Sequence, residues 1–270
     1  MPRNLSKAVV LARGLGTRMR KPDVAVRLAA DQASVADAGL KAMIPVGRPF
    51  LDYVLSGLAD AGYSHVCLVI GPEHGVVREY YGRQSLRRIA LSYAVQPEPR
   101  GTADAVVAAE AFAGGDEFLV MNADNYYPVP VLRTLRTIDE PGTVLFEPNG
   151  LLRNSAIPPQ RLRAFAYCDV RHGYLVGLRE KPGEDPTASV SPDALISMNL
   201  WRFTPAIFDH CRRVERSPRG EYEIPGAVNR AIQHGMRLRV ERSDLGVLDM
   251  SLRADVPAVA ARLERVEVML

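Results

Sequence analysis

The stretch AVVLARGLGTRMR at residues 8–20 decides the fold. Ala8 to Ala12 form an unbroken apolar run without polar alternation, the pattern of a strand covered on both faces. Gly14 and Gly16 punctuate the loop that follows, and Thr17 and Arg18 close it. A glycine-rich turn directly after a strand lets backbone N–H groups approach an anion closely. Arg18 adds a forked donor suited to phosphate oxygens. Gly14-x-Gly16 also begins a dinucleotide-binding fingerprint, but Met19 takes the third glycine's place and no acidic residue closes the next strand. No Gly-Lys-Ser/Thr follows, so it is not a P-loop. Alone, the segment fits an ordinary strand-to-helix turn as well.

Outward from this stretch, strand and helix patterns alternate as far as residue 125. Residues 21–40 are rich in Ala and Asp and read as a helix or a flap. Phe50 to Ala61 has helical apolar spacing after Pro49. Val66 to Ile70 is a second apolar strand, Glu73 to Tyr81 a helix, and Ile89 to Val95 a strand. Thr102 to Ala113 reads as a helix capped by Thr102 and stopped by Gly114-Gly115. Glu117 to Met121 is a strand running into Asn122-Ala123-Asp124. Beyond about residue 145 Pro and Gly become frequent. A hairpin is expected at 165–178, a strand at 195–203, helices near 205–215 and 225–234, a strand near 238–240 and a last helix from about 254. The expected fold is α/β: a Rossmann-like, mostly parallel sheet with helices on both faces, plus a smaller β-rich part. Residues 1–145 and 146–270 are expected to be two portions of one continuous domain.

The chain has 270 residues, 47% hydrophobic and 24% charged, with a net charge of +3. Such a composition excludes disordered and fibrous classes. Acids are interspersed with the arginines, so no basic stripe points to nucleic acid. Cys67, Cys168 and Cys211 are scattered and odd in number, which fits a reducing cytoplasm better than a disulfide or zinc scaffold. No run approaches the ~20 apolar residues of a membrane span, nor does the N-terminus read as a signal peptide. Lysine is rare: only Lys7, Lys21, Lys41 and Lys181 occur, against many arginines.

Three further segments carry chemistry. In GLKAMIPV (39–46), Lys41 is flanked by apolar residues, where a bare ammonium would be costly without an anion. In QPEPRGTADAV (96–106), Gly101 leaves backbone room at a helix start and Gln96 offers an amide to a base edge. In FLVMNADNYYP (118–128), Asp124 follows the carboxyl end of an apolar strand, where open α/β sheets bind ligands, and is a hard-oxygen candidate for Mg2+. Each segment also has a plain structural reading: surface lysine, loop, turn aspartate.

Taken together, these motifs resemble the sugar-1-phosphate nucleotidyltransferases, the NDP-sugar pyrophosphorylases, in order and spacing. Glu180-Lys181-Pro182 resembles that family's Glu-Lys-Pro element, Asn199 lies in the following strand, and Asp249 sits where the family has its second metal aspartate. The resemblance implies a nucleoside triphosphate and a sugar 1-phosphate as substrates and Mg2+ as cofactor. It implies nucleotide contacts from Leu11, Ala12, Gly14, Gly16, Thr17, Gln96, Gly101, Thr102 and Asn122. Arg18 and Lys41 are the implied catalytic cations, Glu180, Lys181 and Asn199 the sugar-phosphate contacts, and Asp124 and Asp249 the metal ligands. The sugar phosphate oxygen would attack the α-phosphorus, which needs no general base. The five histidines (His65, His74, His172, His210, His234) then need no role.

Departures are visible. Arg13 stands where the family has the first of two glycines, the link between Arg20 and Lys41 is long, and Met250-Ser251 follows Asp249. The Gly101-Thr102-Ala103 string leans toward a purine base. Glu221, Tyr222 and Glu223 are further candidates for a sugar pocket, or a solvated helix start. A non-catalytic sensor on the same fold and an NAD-dependent oxidoreductase are the competing readings. The sugar and the oligomeric state are not legible, and a homo-oligomer is compatible with the chain.

Overall fold

Adjacent residues of the first strand bury themselves in different cores. Ala8 and Val10 belong to one apolar cluster, Val9 and Leu11 to another. Side chains alternate across a strand, so a run apolar at every position needs cover on both faces. The structure, a computed structural model, describes residues 5–23, 25–179 and 194–270.

The first part runs β1 (Lys7–Leu11), α1 (Thr17–Arg20), α2 (Ala30–Ala38), a 3-10 turn at Lys41–Met43, α3 (Phe50–Ala61), β2 (His65–Ile70), α4 (Gly75–Gly82), β3 (Ala90–Val95), α5 (Thr102–Ala108), α6 (Glu110–Ala113) and β4 (Phe118–Asn122). It continues with β5 (Asn125–Tyr126), α7 (Val129–Thr137), β6 (Gly142–Phe146), α8 (Pro148–Asn154), α9 (Pro159–Leu162), β7 (Ala166–Arg171), β8 (Tyr174–Arg179), β9 (Leu195–Phe203), α10 (Ile207–Arg213), α11 (Ile224–Gln233), β10 (Arg239–Ser243), β11 (Leu248–Asp249) and α12 (Asp255–Leu263).

The main sheet has the order β3-β2-β1-β4-β9-β6-β10-β8-β7. β1, β2, β3 and β4 are parallel neighbours, and β6 and β10 are a parallel pair. β9 inserts antiparallel between β4 and β6. β7 pairs with both β8 and β9, so the ladder β9–β6–β10–β8–β7 returns on itself. This is the expected α/β sheet with its β-rich part. The cluster holding Val10 collects buried side chains of α3, α7 and α12, and the one holding Val9 collects those of α5, α10 and α11. Both faces are therefore covered. β5 and β11 form a separate antiparallel ladder in which Asp249 faces Asn125.

Several local expectations need correction. Thr102 does not cap its helix: Gly101 takes the cap position at φ 119°, and the Thr102 hydroxyl accepts the Ile224 N–H at 2.9 Å. A Cβ on Gly101 would lie 2.4 Å from the Tyr222 carbonyl oxygen, so close backbone approach, as well as torsion, requires glycine there. The helix expected to reach Ala113 divides at Ala109 into α5 and α6. α7 and β6 were not expected at all. β6 is buried at every position and lies between β9 and β10, so the sheet passes unbroken through residue 145.

Candidate active site

Three backbone hydrogen bonds align the strand ends that build the site. Ala12 N–H donates to Val69 (2.8 Å), Ala123 N–H to Leu11 (3.0 Å) and Gln96 N–H to Ile70 (2.9 Å). A cavity of about 300 Å³ opens above them, at the carboxyl ends of the parallel strands. Leu11, Ala12, Gly14, Gly16, Thr17, Arg18, Lys41, Gln96, Gly101, Thr102, Asn122 and Asp124 all line it. The sequence spreads these residues over more than a hundred positions, and the sheet brings them to one opening.

The glycine loop explains how Lys41 arrives there. Gly16 adopts φ 61°, and a Cβ on it would meet the Gly39 carbonyl oxygen at 2.3 Å. The loop and the end of α2 are thus in backbone contact. The long link after Arg20 carries α2, whose C-terminus hands the chain to the 3-10 turn bearing Lys41. Arg253 ties this region together: its Nε donates to the Met19 carbonyl at 2.9 Å, and its guanidinium pairs with Asp37 of α2.

At one end of the cavity the charges are already partnered. Lys41 pairs with Asp124, and both side chains are largely buried. The Met250 N–H donates to the Asp124 carbonyl (2.8 Å), so the β5/β11 ladder holds Asp249 beside Asp124. Asp249 Oδ1 accepts from Asn125 Nδ2 (3.2 Å) and Ser251 Oγ (3.0 Å). Arg161 pairs with Asp249 and with Asp255. Arg18 Nη2 reaches Ser251 Oγ at 3.4 Å. Burial and the neighbouring Asp124 charge push the Asp249 carboxyl up to about 6, against the pull of Arg161.

Two adjacent carboxylates at the cavity suit a hard cation that keeps waters and takes one or two carboxylates. An ionised carboxylate offers about four lone-pair sites. Asp249 has committed two on Oδ1 and one on Oδ2, and Asp124 is held through Oδ2 alone. The pair therefore retains free oxygen sites, and the donor set fits a divalent ion. Among the described residues no larger group of His, Cys, Asp and Glu gathers to hold a metal.

At the other end the side-chain contacts fix an amide in place. Gln96 is buried, and its Nε2 donates to the Gly101 carbonyl (3.0 Å) and to Asp104 (2.7 Å). Its carbonyl oxygen is left as an acceptor. Arg13 Nε donates to the Gln96 backbone carbonyl at 3.2 Å.

Not every candidate joins the site. Glu180 and Lys181 lie outside the described residues. Asn199 does not line the cavity; it has φ 58° in β9, within the stretch where the β6–β9 register shifts. Its residue type is accounted for by a left-handed backbone position, which asparagine tolerates. Asp249 sits behind the lining, with Ser251 in front of it. Tyr222 serves mainly through its backbone, accepting the Ala103 N–H and donating to Arg100, while Glu221 lines the cavity. Sequence reading passed over Arg219 and Ser251, which line the cavity, and Arg161. The Ser217-Pro218-Arg219-Gly220 turn before Glu221 is the signal that marks Arg219. No histidine lines the cavity.

A family model described as nucleotidyl transferase matches residues 7–250. A UTP–glucose-1-phosphate uridylyltransferase of Haloferax volcanii is 28% identical over 263 residues, covering 96% of each chain. A glucose-1-phosphate thymidylyltransferase of Streptomyces antibioticus is 30% identical over 234 residues, 85% of this chain and 58% of that one. This chain thus spans nearly the full length of the first relative and little more than half of the second. In fold, the crystal structure of a UDP-glucose pyrophosphorylase complexed with UDP-glucose superposes with a TM-score of 0.75 at 16% identity, covering 97% of this chain and 100% of that one. The cavity, its glycine loop and these likenesses agree: the chain belongs to the nucleotidyl transferase family, as a sugar-1-phosphate nucleotidyltransferase.

Proposed function

We propose that this enzyme couples a keto-pyrimidine nucleoside triphosphate, UTP or dTTP, to glucose 1-phosphate or a close analogue, giving an NDP-sugar and pyrophosphate. The observation that carries the reading is the convergence of Arg18, Lys41 and Asp124 with the glycine loop on one cavity. Both reactants are anions, so the task is alignment and charge neutralisation. The Gly14–Thr17 backbone cradles the triphosphate and Arg18 binds its oxygens. Lys41 moves from Asp124 to the reacting phosphates as they arrive. An oxygen of the sugar phosphate attacks the α-phosphorus in line, and the bond to the β,γ-pyrophosphate breaks. The attacking group is already ionised, so no base takes a proton.

Asp124 and Asp249 would hold Mg2+, which supplies neutralisation of the phosphate charge when bound. Glu180, Lys181 and Asn199 remain our candidates for the sugar phosphate, joined by Arg219. Cys67, Cys168 and Cys211 are free and buried, in keeping with a reducing cytoplasm. No described helix is long and apolar enough to cross a membrane.

The base assignment rests on two supports. The relatives with matching names are uridylyl- and thymidylyltransferases. Gln96, with its amide nitrogen committed, presents an acceptor to the cavity, which suits the N3–H of uracil or thymine. These replace the purine lean drawn from the Gly101–Ala103 string. The test is pyrophosphate release with Mg2+ across a matrix of triphosphates and sugar 1-phosphates. UTP or dTTP with glucose 1-phosphate is expected to turn over fastest. Binding without product from any pair would leave a sensor instead, and GTP or ATP as the best donor would overturn the base assignment.

A further inference from the structure

We infer that Arg13 is a specificity-determining residue: its guanidinium donates to the keto oxygen of the base, beside the N–H that Gln96 accepts. The inference rests on the proposed function and deepens it. Arg13 stands where the resembling loops have glycine, so its side chain is an addition to the cavity wall. That side chain is more than nine-tenths buried, and the residue lines the cavity together with Gln96.

Its donors are incompletely used. Nε donates to the Gln96 backbone carbonyl at 3.2 Å. Nη1 lies 2.7 Å from Glu73 Oε1, yet it is buried and makes no hydrogen bond of good geometry. Nη2 donates to no group among the described residues. A buried guanidinium with idle N–H groups on a cavity wall is costly unless something there accepts them. The Glu73 contact and the Gln96 carbonyl meanwhile fix the plane of the fork.

The two side chains then present an acceptor and a donor next to one another. Uracil and thymine match this with N3–H flanked by carbonyl oxygens. Cytosine presents the reverse, a ring-nitrogen acceptor beside an amino donor, so donors would face donors and acceptors would face acceptors. A site that hydrogen-bonds one edge rejects the mismatched edge strongly, because buried polar groups are left unpaired. Gln96 alone would supply half of this discrimination, and Arg13 supplies the other half.

The test is calorimetric binding of UTP, CTP and GTP to the full chain, as wild type, Arg13→Ala and Glu73→Gln, with melting curves to verify folding. The wild type is expected to favour UTP by about a hundredfold. Arg13→Ala should weaken UTP about tenfold and leave CTP nearly unchanged, so the ratio drops about tenfold. Glu73→Gln keeps the guanidinium and loosens it, so the ratio should fall by a smaller factor. It also tests the idea if Arg13→Ala does not fold. An unchanged UTP/CTP ratio in the variants overturns the inference, as does an equal loss for both nucleotides. A gain in GTP binding without a change in that ratio would mean that Arg13 acts by bulk alone, and overturns it too. If the wild type binds no triphosphate, the proposed function itself falls. If the wild type discriminates and the variants still do, only the role of Arg13 falls.

Discussion

The two ends of the cavity are built on opposite principles. At the proposed phosphate end, Lys41 is held by Asp124, and Asp249 by Arg161, so these charges already have partners inside the chain. At the base end, Gln96 is held by Gly101 and Asp104 in one orientation, as a fixed template. An anionic substrate entering the first end must exchange partners, taking Lys41 from Asp124. A base entering the second needs only to fit. On the proposed reading, the difference teaches that charge is stored in internal ion pairs until phosphate arrives, whereas selectivity is preorganised.

Asp124→Ala challenges this contrast hardest. It strands Lys41 and removes a carboxylate from the proposed metal pair. Pyrophosphate release is expected to fall by about a thousandfold, beyond what a lowered melting temperature in a still-folded protein explains. Lys41→Ala should cost on the order of a hundredfold in the same assay. A loss under tenfold in either variant would mean that the pair is only structural.

Arg161→Met sharpens the same end through stability. It strands Asp249 and Asp255, both buried, without their shared cation. Urea unfolding should report a loss of about 3 kcal/mol. A change below about 1 kcal/mol would mean that Asp249 finds another partner or is neutral.

Gly101→Ala probes the base end. Its Cβ would collide with the Tyr222 backbone at a φ that side chains avoid. A loss of about 1–3 kcal/mol in stability is expected, together with a higher KM for the triphosphate and a smaller change in kcat. A kcat loss as large as that of Lys41→Ala would erase the distinction between the ends. Ser251→Ala removes one of the donors to Asp249 and should cost only about 1 kcal/mol in urea unfolding, the smallest effect of the series.

Both ends were partly legible in the sequence. The glycine loop, Lys41, Gln96 and Asp124 each sit beside a strand end or a turn, so local pattern and ligand chemistry coincide. Arg161 was not legible, because its meaning comes from Asp249 and Asp255, far along the chain, and α9 is a short helix with no motif of its own. Thr102 shows the reverse error. Its local position suggested a cap, but its hydroxyl is used by Ile224, and tertiary contact overrode the local rule. β6 was missed because its apolar run is short and starts at a glycine.

The central claim is that the protein aligns two anions and contributes no covalent nucleophile. The cavity contains the hydroxyls of Thr17, Thr102 and Ser251 but no histidine to activate them, and burial raises the thiols of Cys67, Cys168 and Cys211, none of which lines it. The direct measurement is the configuration at phosphorus when a single diastereomer of the α-thio analogue of UTP reacts with glucose 1-phosphate. One in-line attack predicts inversion in the sugar nucleotide formed. Retention would reveal a nucleotide carried on the protein and would contradict the account.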